Sequence, residues 1–536
     1  MGYARAGLVA LLLAWGFCLS CAGARAASLD DALISFTADD FDQTETGINE
    51  VAASGNPRAE IILRALQNSQ LMFSAAQKKI YIQNDSGKLF DAATGQPIAG
   101  APPDDLDNVR INNRLRGTID AALGTLTLLS KDTNTRYRAA QAVFKSHEAS
   151  ALPTLEKALG QETDGGVKRA MEQARAAILL NMPGVTDAQK LAAIEVVRDR
   201  GDQDALALLA DIPGRESPVV AHAATNAIAA IQTRLAEWGA VQNAWYGISL
   251  GSVLLLAAIG LAITFGVMGV INMAHGEMVM LGAYVTFVVQ QAIRDYDPAL
   301  FDYSLAVAIP LAFLFSGCVG ILIERTIIRF LYGRPLETLL ATWGLSLVLQ
   351  QAVRTIFGPD NRDVGNPSFM SGAFDLGGIT ITYNRLWIVC FALAAFVALI
   401  CLLRFTRLGL EMRAVTQNRA MAASMGIRTS RIDALTFGLG SGIAGVAGVA
   451  LSQIDNVGPN LGQSYIIDSF MVVVFGGVGN LWGTFVGSFV LGVANKFLEP
   501  YAGAVLGKIT ILVLIILFIQ KRPRGMFALK GRAVEA

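Results

Sequence analysis

The residues best equipped for chemistry in this chain stand in VINMAHGEMVMLGAY, Val270–Tyr284, which places Asn272, His275 and Glu277 in an otherwise apolar run. A histidine near a carboxylate could bind a metal or pass a proton. His275 and Glu277 are two positions apart, however, and residues at that spacing do not share a helix face. This weakens both a metal pair and a catalytic dyad. Two readings remain. The stretch is either a polar hinge, in which Gly276 relieves the helix while His275 and Glu277 satisfy freed backbone groups or neighbouring helices, or it lines a path for a solute. HExxH is absent, and with three histidines in the whole sequence an intramembrane metalloprotease is nearly excluded.

A second break occurs in VFGGVGNLWGTFVGSFVLG, where Gly476, Gly477, Gly479 and Asn480 interrupt another apolar segment. Inside a bilayer, non-helical backbone is tolerated only where it is buried or lines a wet cavity. Paired interruptions in two halves of a membrane protein point to a solute pathway. The plainer reading is a tight loop between helices. Thr264 and Thr484 are further polar candidates for such a path.

A third feature is the basic loop TRLGLEMRAVTQNRAMAASMGIRTSRI, 406–432. It accommodates a short helix from Gln417 to Met425, ended by Gly426, with a smooth face at Ala420, Ala422 and Ala423. Such a helix suits docking of another protein, while its charge alone also fits a simple membrane anchor. The look-alikes carry little weight. GxGxxG at Gly440–Gly445 lies in an apolar helix, where small residues serve close packing. A P-loop is absent, so no nucleotide site is expected in this chain.

These residues need elements to hold them. The chain has 536 residues, 53% of them apolar and 16% charged, with net charge zero. The neutral charge gives no reason to expect a nucleic-acid partner. The first part is charged and helical in pattern, and the second is a series of apolar runs. Residues 1–27 read as a signal peptide, with Ala24–Ala26 as cleavage site and a lipoprotein box at Cys21 as the alternative. Residues 28–240 predict an exported, mainly helical domain with HEAT-like pairs and one small β-hairpin around Ile80–Ile82. Residues 241–525 predict a polytopic α-helical membrane bundle of about nine hydrophobic segments, at 246–268, 274–293, 304–325, 336–357, 385–404, 431–453, 466–480, 483–498 and 505–520. The pair 466–480 and 483–498 is short enough to be re-entrant or broken. Residues 526–536 form a tail. The fold class is all-α.

Positive clusters at Arg325/Arg329/Arg334, Arg404–Arg431 and Lys521/Arg522/Arg524 alternate with poorer loops. By the positive-inside rule they and the C-terminus are cytoplasmic, and the first span starts outside. That agrees with a cleaved signal and an exported N-terminal domain. Cys318, Cys390 and Cys401 read as buried small hydrophobes, with no metal or disulfide pattern.

VINMAHGEMVMLGAY, ERTIIRFLYGRPLETLLATWGLSLVLQQ, TRLGLEMRAVTQNRAMAASMGI and VFGGVGNLWGTFVGSFVLG together resemble the membrane permease of branched-chain amino acid ABC importers, in order and spacing across roughly 245–525. The signal-bearing, HEAT-like extension resembles the urea-type permease of that family. The resemblance implies a non-enzymatic transporter subunit of the bacterial inner membrane. It binds no cofactor of its own, and ATP is used by partner subunits. The implied partners are a second permease subunit, two cytoplasmic ATPase subunits and a periplasmic solute-binding protein. The family's coupling helix matches Gln417–Gly426, so the coupling loop is expected to use Arg413, Gln417, Asn418, Arg419, Ala420 and Gly426, with Asn418, Ala420 and Gly426 in the ATPase groove. Urea is the expected solute. The alternatives are branched-chain amino acids or short amides, an ion-coupled carrier or channel, and a membrane-anchored scaffold. An amino acid would call for charged groups at mid-span.

Overall fold

The computed structural model describes residues 29–527 except 55, 85–86, 99–102 and 104. The expected signal peptide and most of the expected tail lie outside the described residues. The chain divides into two compact units, Met1–Leu235 and Ala236–Ala536.

The first unit opens with α1 (Leu29–Ile34), α2 (Phe41–Ala53) and α3 (Ala59–Gln67). Strands β1 (Leu71–Ser74), β2 (Lys79–Gln83), β3 (Leu89–Asp91) and β4 (Leu106–Asn108) follow, then α4 (Asn113–Thr127). The strands form an antiparallel sheet in the order β3-β2-β1-β4. The expected hairpin is the β2–β3 pair, with Tyr81 opposite Asp91, and β1 and β4 extend it. Phe36, Ile48, Ile62, Leu71, Leu115 and Ile119 fill one core beneath it.

Helices α5 (Thr133–Ser146), α6 (Leu152–Gln161), α7 (Gly165–Asn181), α8 (Asp187–Arg200) and α9 (Gln203–Ala210) build a second core around Phe144, Leu155, Met171, Ile194 and Leu209. Side chains start these helices where the sequence provides short acidic or amide groups. Asp132, Asp164 and Asp202 each accept from backbone N–H groups of the first turn, as N-caps do. Arg136 at the start of α5 grips Glu162 just beyond α6, Nε to Oε2 at 2.6 Å and Nη2 to Oε1 at 3.0 Å. That guanidinium, helped by the backbone N–H groups of Asp164 and Thr163, holds the Glu162 carboxyl down at about 2.

Helix α10 (Pro218–Met268) contributes Val220, Ala224 and Ile231 to that core, and its later residues belong to the second unit. There follow α11 (His275–Tyr296), α12 (Ser304–Thr326), α13 (Pro335–Phe357), a ribbon of β5 (Ala373–Leu376) and β6 (Ile379–Thr382), α14 (Tyr383–Phe405), α15 (Arg407–Gln417), α16 (Arg419–Ser424), α17 (Thr429–Leu451), α18 (Leu461–Gly476) and α19 (Leu481–Lys521).

Among the described residues six helices are long and apolar enough to cross a membrane: α10, α11, α12 with its flanking 3₁₀ turns, α14, α17 and α19. The nine segments expected from hydropathy thus reduce to six. The run 336–357 lies on α13, whose inner face is polar. The run 466–480 lies on the 16-residue α18. The runs 483–498 and 505–520 share α19, interrupted by a non-helical backbone at Gly503, φ 76°. Cys318, Cys390 and Cys401 are exposed on the outside of this unit, not buried as expected.

Helix α17 is the axis of the unit, buried along nearly its whole length. Its small residues let neighbouring backbones come close. Gly440 packs on the Gly260 carbonyl of α10, and Gly445 sits between Gly282 of α11 and Ser316 of α12.

Candidate functional site

Helix α10 ends at Met268, and the chain reverses through Gly269, which takes a positive φ of 68°. Residues 269–274 then run back beside α10 without helical structure, and α11 starts at His275. Three contacts fix the height of that start. His275 Nε2 lies 2.9 Å from the Ala257 carbonyl, midway along the apolar stretch of α10. Glu277 meets Ser346 at the middle of α13. Ser316, at the middle of α12, donates to the Met278 carbonyl at 3.2 Å. Helix α11 therefore begins halfway through the bundle.

The freed backbone there is satisfied locally. Asn272 Oδ1 accepts from the Ala274 N–H at 3.0 Å, and Thr342 Oγ1 accepts from the Met273 N–H at 3.1 Å. Glu277 Oε1 accepts from Ser346 Oγ and Gln350 Nε2, both at 2.8 Å. Its second oxygen, Oε2, is buried with no hydrogen-bond partner, as is His275 Nδ1. Asn272, His275 and Glu277 are each no more than 2% exposed.

Helix α18 begins at the same place. The chain leaves α17 at Leu451, crosses the non-helical residues 452–460 and starts again at Leu461. Gly462, in its first turn, lies directly against Gly276 in the first turn of α11. Two helix starts, each preceded by non-helical chain, thus meet inside the bundle. Helix starts carry the positive end of the helix dipole. A buried carboxylate beside them is electrostatically well placed.

The structure places Asn272, His275 and Glu277 beside a break that occupies residues 269–274. Gly276 does not relieve the helix. It is helical, and its missing side chain admits Gly462. Sequence reasoning also missed the partners on α13. Thr338, Thr342, Ser346 and Gln350 recur every fourth residue, which puts them on one helix face, and all four are buried. That stripe was readable in the sequence. Gly462 carried no comparable signal.

The second glycine cluster is a tight turn, the plainer of its two readings. Helix α18 ends at Gly476, Gly477 and Gly479 take φ of 107° and 78°, and Asn480 caps α19 by accepting from Trp482 and Gly483 N–H. Asn480 Nδ2 also donates to the Phe527 carbonyl at 3.2 Å. The Met526 and Phe527 N–H groups donate to Phe475 and Gly476, so the C-terminal strand of chain is pinned onto this turn. It stands apart from Glu277. The Thr264 hydroxyl donates to carbonyls of its own helix, and the Thr484 hydroxyl donates to the carbonyl of the cap residue Asn480.

The basic loop holds two helices rather than one. Helix α15 precedes a shorter α16, Arg419–Ser424, which replaces the expected helix from Gln417 to Met425. Asn418 breaks the run because its Oδ1 caps α16 at the Met421 N–H, 2.9 Å away. Gly426, φ 88°, ends it as expected. Gln417 and Ala420 are exposed, and Ala422 is buried against the bundle. Arg413 donates to the Leu403 carbonyl. Arg419 turns inward onto the fully buried Asp433 of α17.

A family model described as the permease component of branched-chain amino acid transport systems matches residues 243–519. The chain is similar to the high-affinity branched-chain amino acid transport system permease protein LivH of Salmonella typhimurium, 33% identical over 295 residues, covering 53% of this chain and 94% of the relative. It is similar to the corresponding protein BraD of Pseudomonas aeruginosa, 30% identical over 287 residues, 52% of this chain and 93% of the relative. The ribose import permease protein RbsC of Escherichia coli is 24% identical over 282 residues, 51% of this chain and 82% of the relative. No solved structure matches.

Proposed function

This chain belongs to the family of branched-chain amino acid transport permeases, and on that premise we propose that it is the membrane subunit of an ATP-driven importer for an amino acid of the branched-chain class. It pairs with a second permease subunit, docks two ATPase subunits at the loop 406–432 and receives solute from a periplasmic binding protein. The first unit, a HEAT-like domain, stands in the periplasm of the bacterial inner membrane, and the C-terminus is cytoplasmic.

The observation that supports an amino acid is Glu277 beside the abutting starts of α11 and α18. Transporters place solute sites at mid-bilayer where broken helices meet, with helix N-termini toward anionic groups. A zwitterion has one group for each partner: its ammonium suits the carboxylate of Glu277, and its carboxylate suits the helix starts. A fixed charge buried in a bilayer is costly, and one that meets a solute charge is favoured as functional.

Urea, neutral and strongly hydrogen bonding, is the second reading. It is favoured by the unit ahead of residue 243, which the family model does not include. Proteoliposomes carrying the complete importer and its binding protein discriminate the two. Labelled leucine, isoleucine or valine entering only with ATP supports the amino acid; urea alone entering shifts the assignment to the second reading. Uptake without ATP or ATPase subunits rejects an ABC permease and leaves the carrier.

A further inference from the structure

The loop 406–432 carries an ion pair that joins a half-exposed arginine to a fully buried carboxylate. Arg419, the first residue of α16, donates through both terminal nitrogens to the two carboxylate oxygens of Asp433, Nη1 to Oδ1 at 3.2 Å and Nη2 to Oδ2. Asp433 is 0% exposed. The Arg419 guanidinium also lies over the Tyr332 ring, 5.0 Å from its centroid. Tyr332 Oη in turn donates to Glu324 Oε1 at 3.0 Å, and Glu324, near the end of α12, is likewise 0% exposed.

Little else holds α16. Ala422 is its one buried residue, while Met421 and Met425, flanking it, are 61% and 77% exposed. Among the described residues the Arg419 pair is the one ion pair α16 makes. A planar guanidinium gripping both oxygens of a carboxylate fixes orientation as well as distance, which a single contact does not. Removing Arg419 would leave the buried Asp433 carboxylate without its countercharge, a strongly unfavourable state. Asp433 lies on α17, two helical turns before Gly440, where α17 crosses α10. Further along, Gly445 and Gly448 of α17 pack on α11, the helix that carries Glu277.

We propose that Arg419 is a positioning residue for coupling. Its pair with Asp433 makes α16 and α17 move as one piece, and α17 delivers that movement to the helix starts around Glu277. Arg419 thus acts through its bond to Asp433, while Ala420 and Met421 on the exposed side of α16 face the partner. This rests on the reading of the chain as an ABC permease.

The test uses the complete importer with its ATPase subunits and binding protein, and reads solute moved per ATP hydrolysed. Arg419→Ala and Asp433→Asn are each expected to retain the ATPase subunits on purification and to lower that ratio about tenfold, within the range of ordinary coupling energies. The KM for solute-loaded binding protein is expected to stay within twofold. The double variant is expected to be no worse than either single, because both remove one interaction. Arg419→Lys keeps the charge without the fork and is expected to fall between, and it serves if the alanine variant does not assemble. A wild-type ratio in assembled Arg419→Ala, additive losses in the double variant, or loss of the ATPase subunits on changing Arg419 alone would each overturn the proposal. Wild-type protein purifying without any ATPase subunit would instead reject the ABC reading.

Discussion

Gly276 and Gly462 meet face to face: a Cβ built on Gly276 would lie 2.8 Å from the Gly462 carbonyl carbon, and one on Gly462 would lie 3.0 Å from the Glu277 nitrogen. The obstruction is backbone on both sides, so no side chain can move aside. Gly276→Ala and Gly462→Ala are each expected to destabilise the unit by about 1–3 kcal/mol, the usual range for overpacking. Thermal unfolding of the purified protein measures this. A control at Gly344 in α13, where added Cβ meets nothing within 4 Å, should not lower the midpoint, since alanine favours the helix by about 1 kcal/mol.

Glu277→Gln keeps shape and a hydrogen-bonding amide but removes the charge. If Glu277 meets the solute ammonium, the importer is expected to assemble normally and to require at least tenfold more amino acid for half-maximal ATP-dependent uptake, since charged hydrogen bonds contribute about 1.5–3 kcal/mol. Failed assembly, or normal assembly with unchanged half-saturation, would make Glu277 a purely structural neutraliser of the two helix starts.

Thr342→Val replaces the hydroxyl that receives the Met273 N–H with a methyl group of similar shape. The stranded backbone donor is expected to lower stability by about 1–3 kcal/mol. Hydrogen exchange should localise the loss to residues 269–276, and a loss spread evenly over the unit would contradict the local role.

Asn480→Ala removes the cap of α19 and the tether to Phe527. A lost N-cap typically costs about 1 kcal/mol. Limited proteolysis should then release residues beyond Lys521 sooner than in the wild type, and an unchanged cleavage rate would show that the Met526 and Phe527 backbone bonds suffice.

In the first unit, Glu162 titrates at about 2 when folded against 4.5 for a free glutamate. A depressed carboxylate contributes stability that is complete above the unfolded value and is lost as pH falls from about 4.5 toward about 2. Exchange protection around the α5–α6 joint of the full chain should therefore fall across that window. Glu162→Gln should flatten the dependence, and an unchanged slope would remove Glu162 as its source.

Much of this was legible in the sequence because apolar runs, polar interruptions and glycine stops are local signals. The break near Asn272, the turn at Gly476–Asn480 and the stop at Gly426 all follow from residue types over a few positions. The pairing of Gly276 with Gly462 does not, since it depends on two distant helices starting at one height. The inward turn of Arg419 was hidden for the same reason: in sequence it looks like one more basic residue in a basic loop. Asn418 was readable as a cap, but the alanines beside it favoured a longer continuous helix.

Helix α13 has a consequence for how the protein is made. Its buried face is Thr338, Thr342, Ser346 and Gln350, while Leu336, Leu340, Trp343 and Val348 are exposed. This is the reverse of a helix in water, and the polar stripe leaves it less apolar than the six strong candidates. Hydroxyl and amide groups are poor company for lipid until neighbouring helices receive them. During synthesis, α13 should wait for α11 and the stretch before it, whose Glu277 and Met273 N–H are partners of that stripe. Membrane entry of this helix is then a step of assembly, taken together with earlier helices rather than alone.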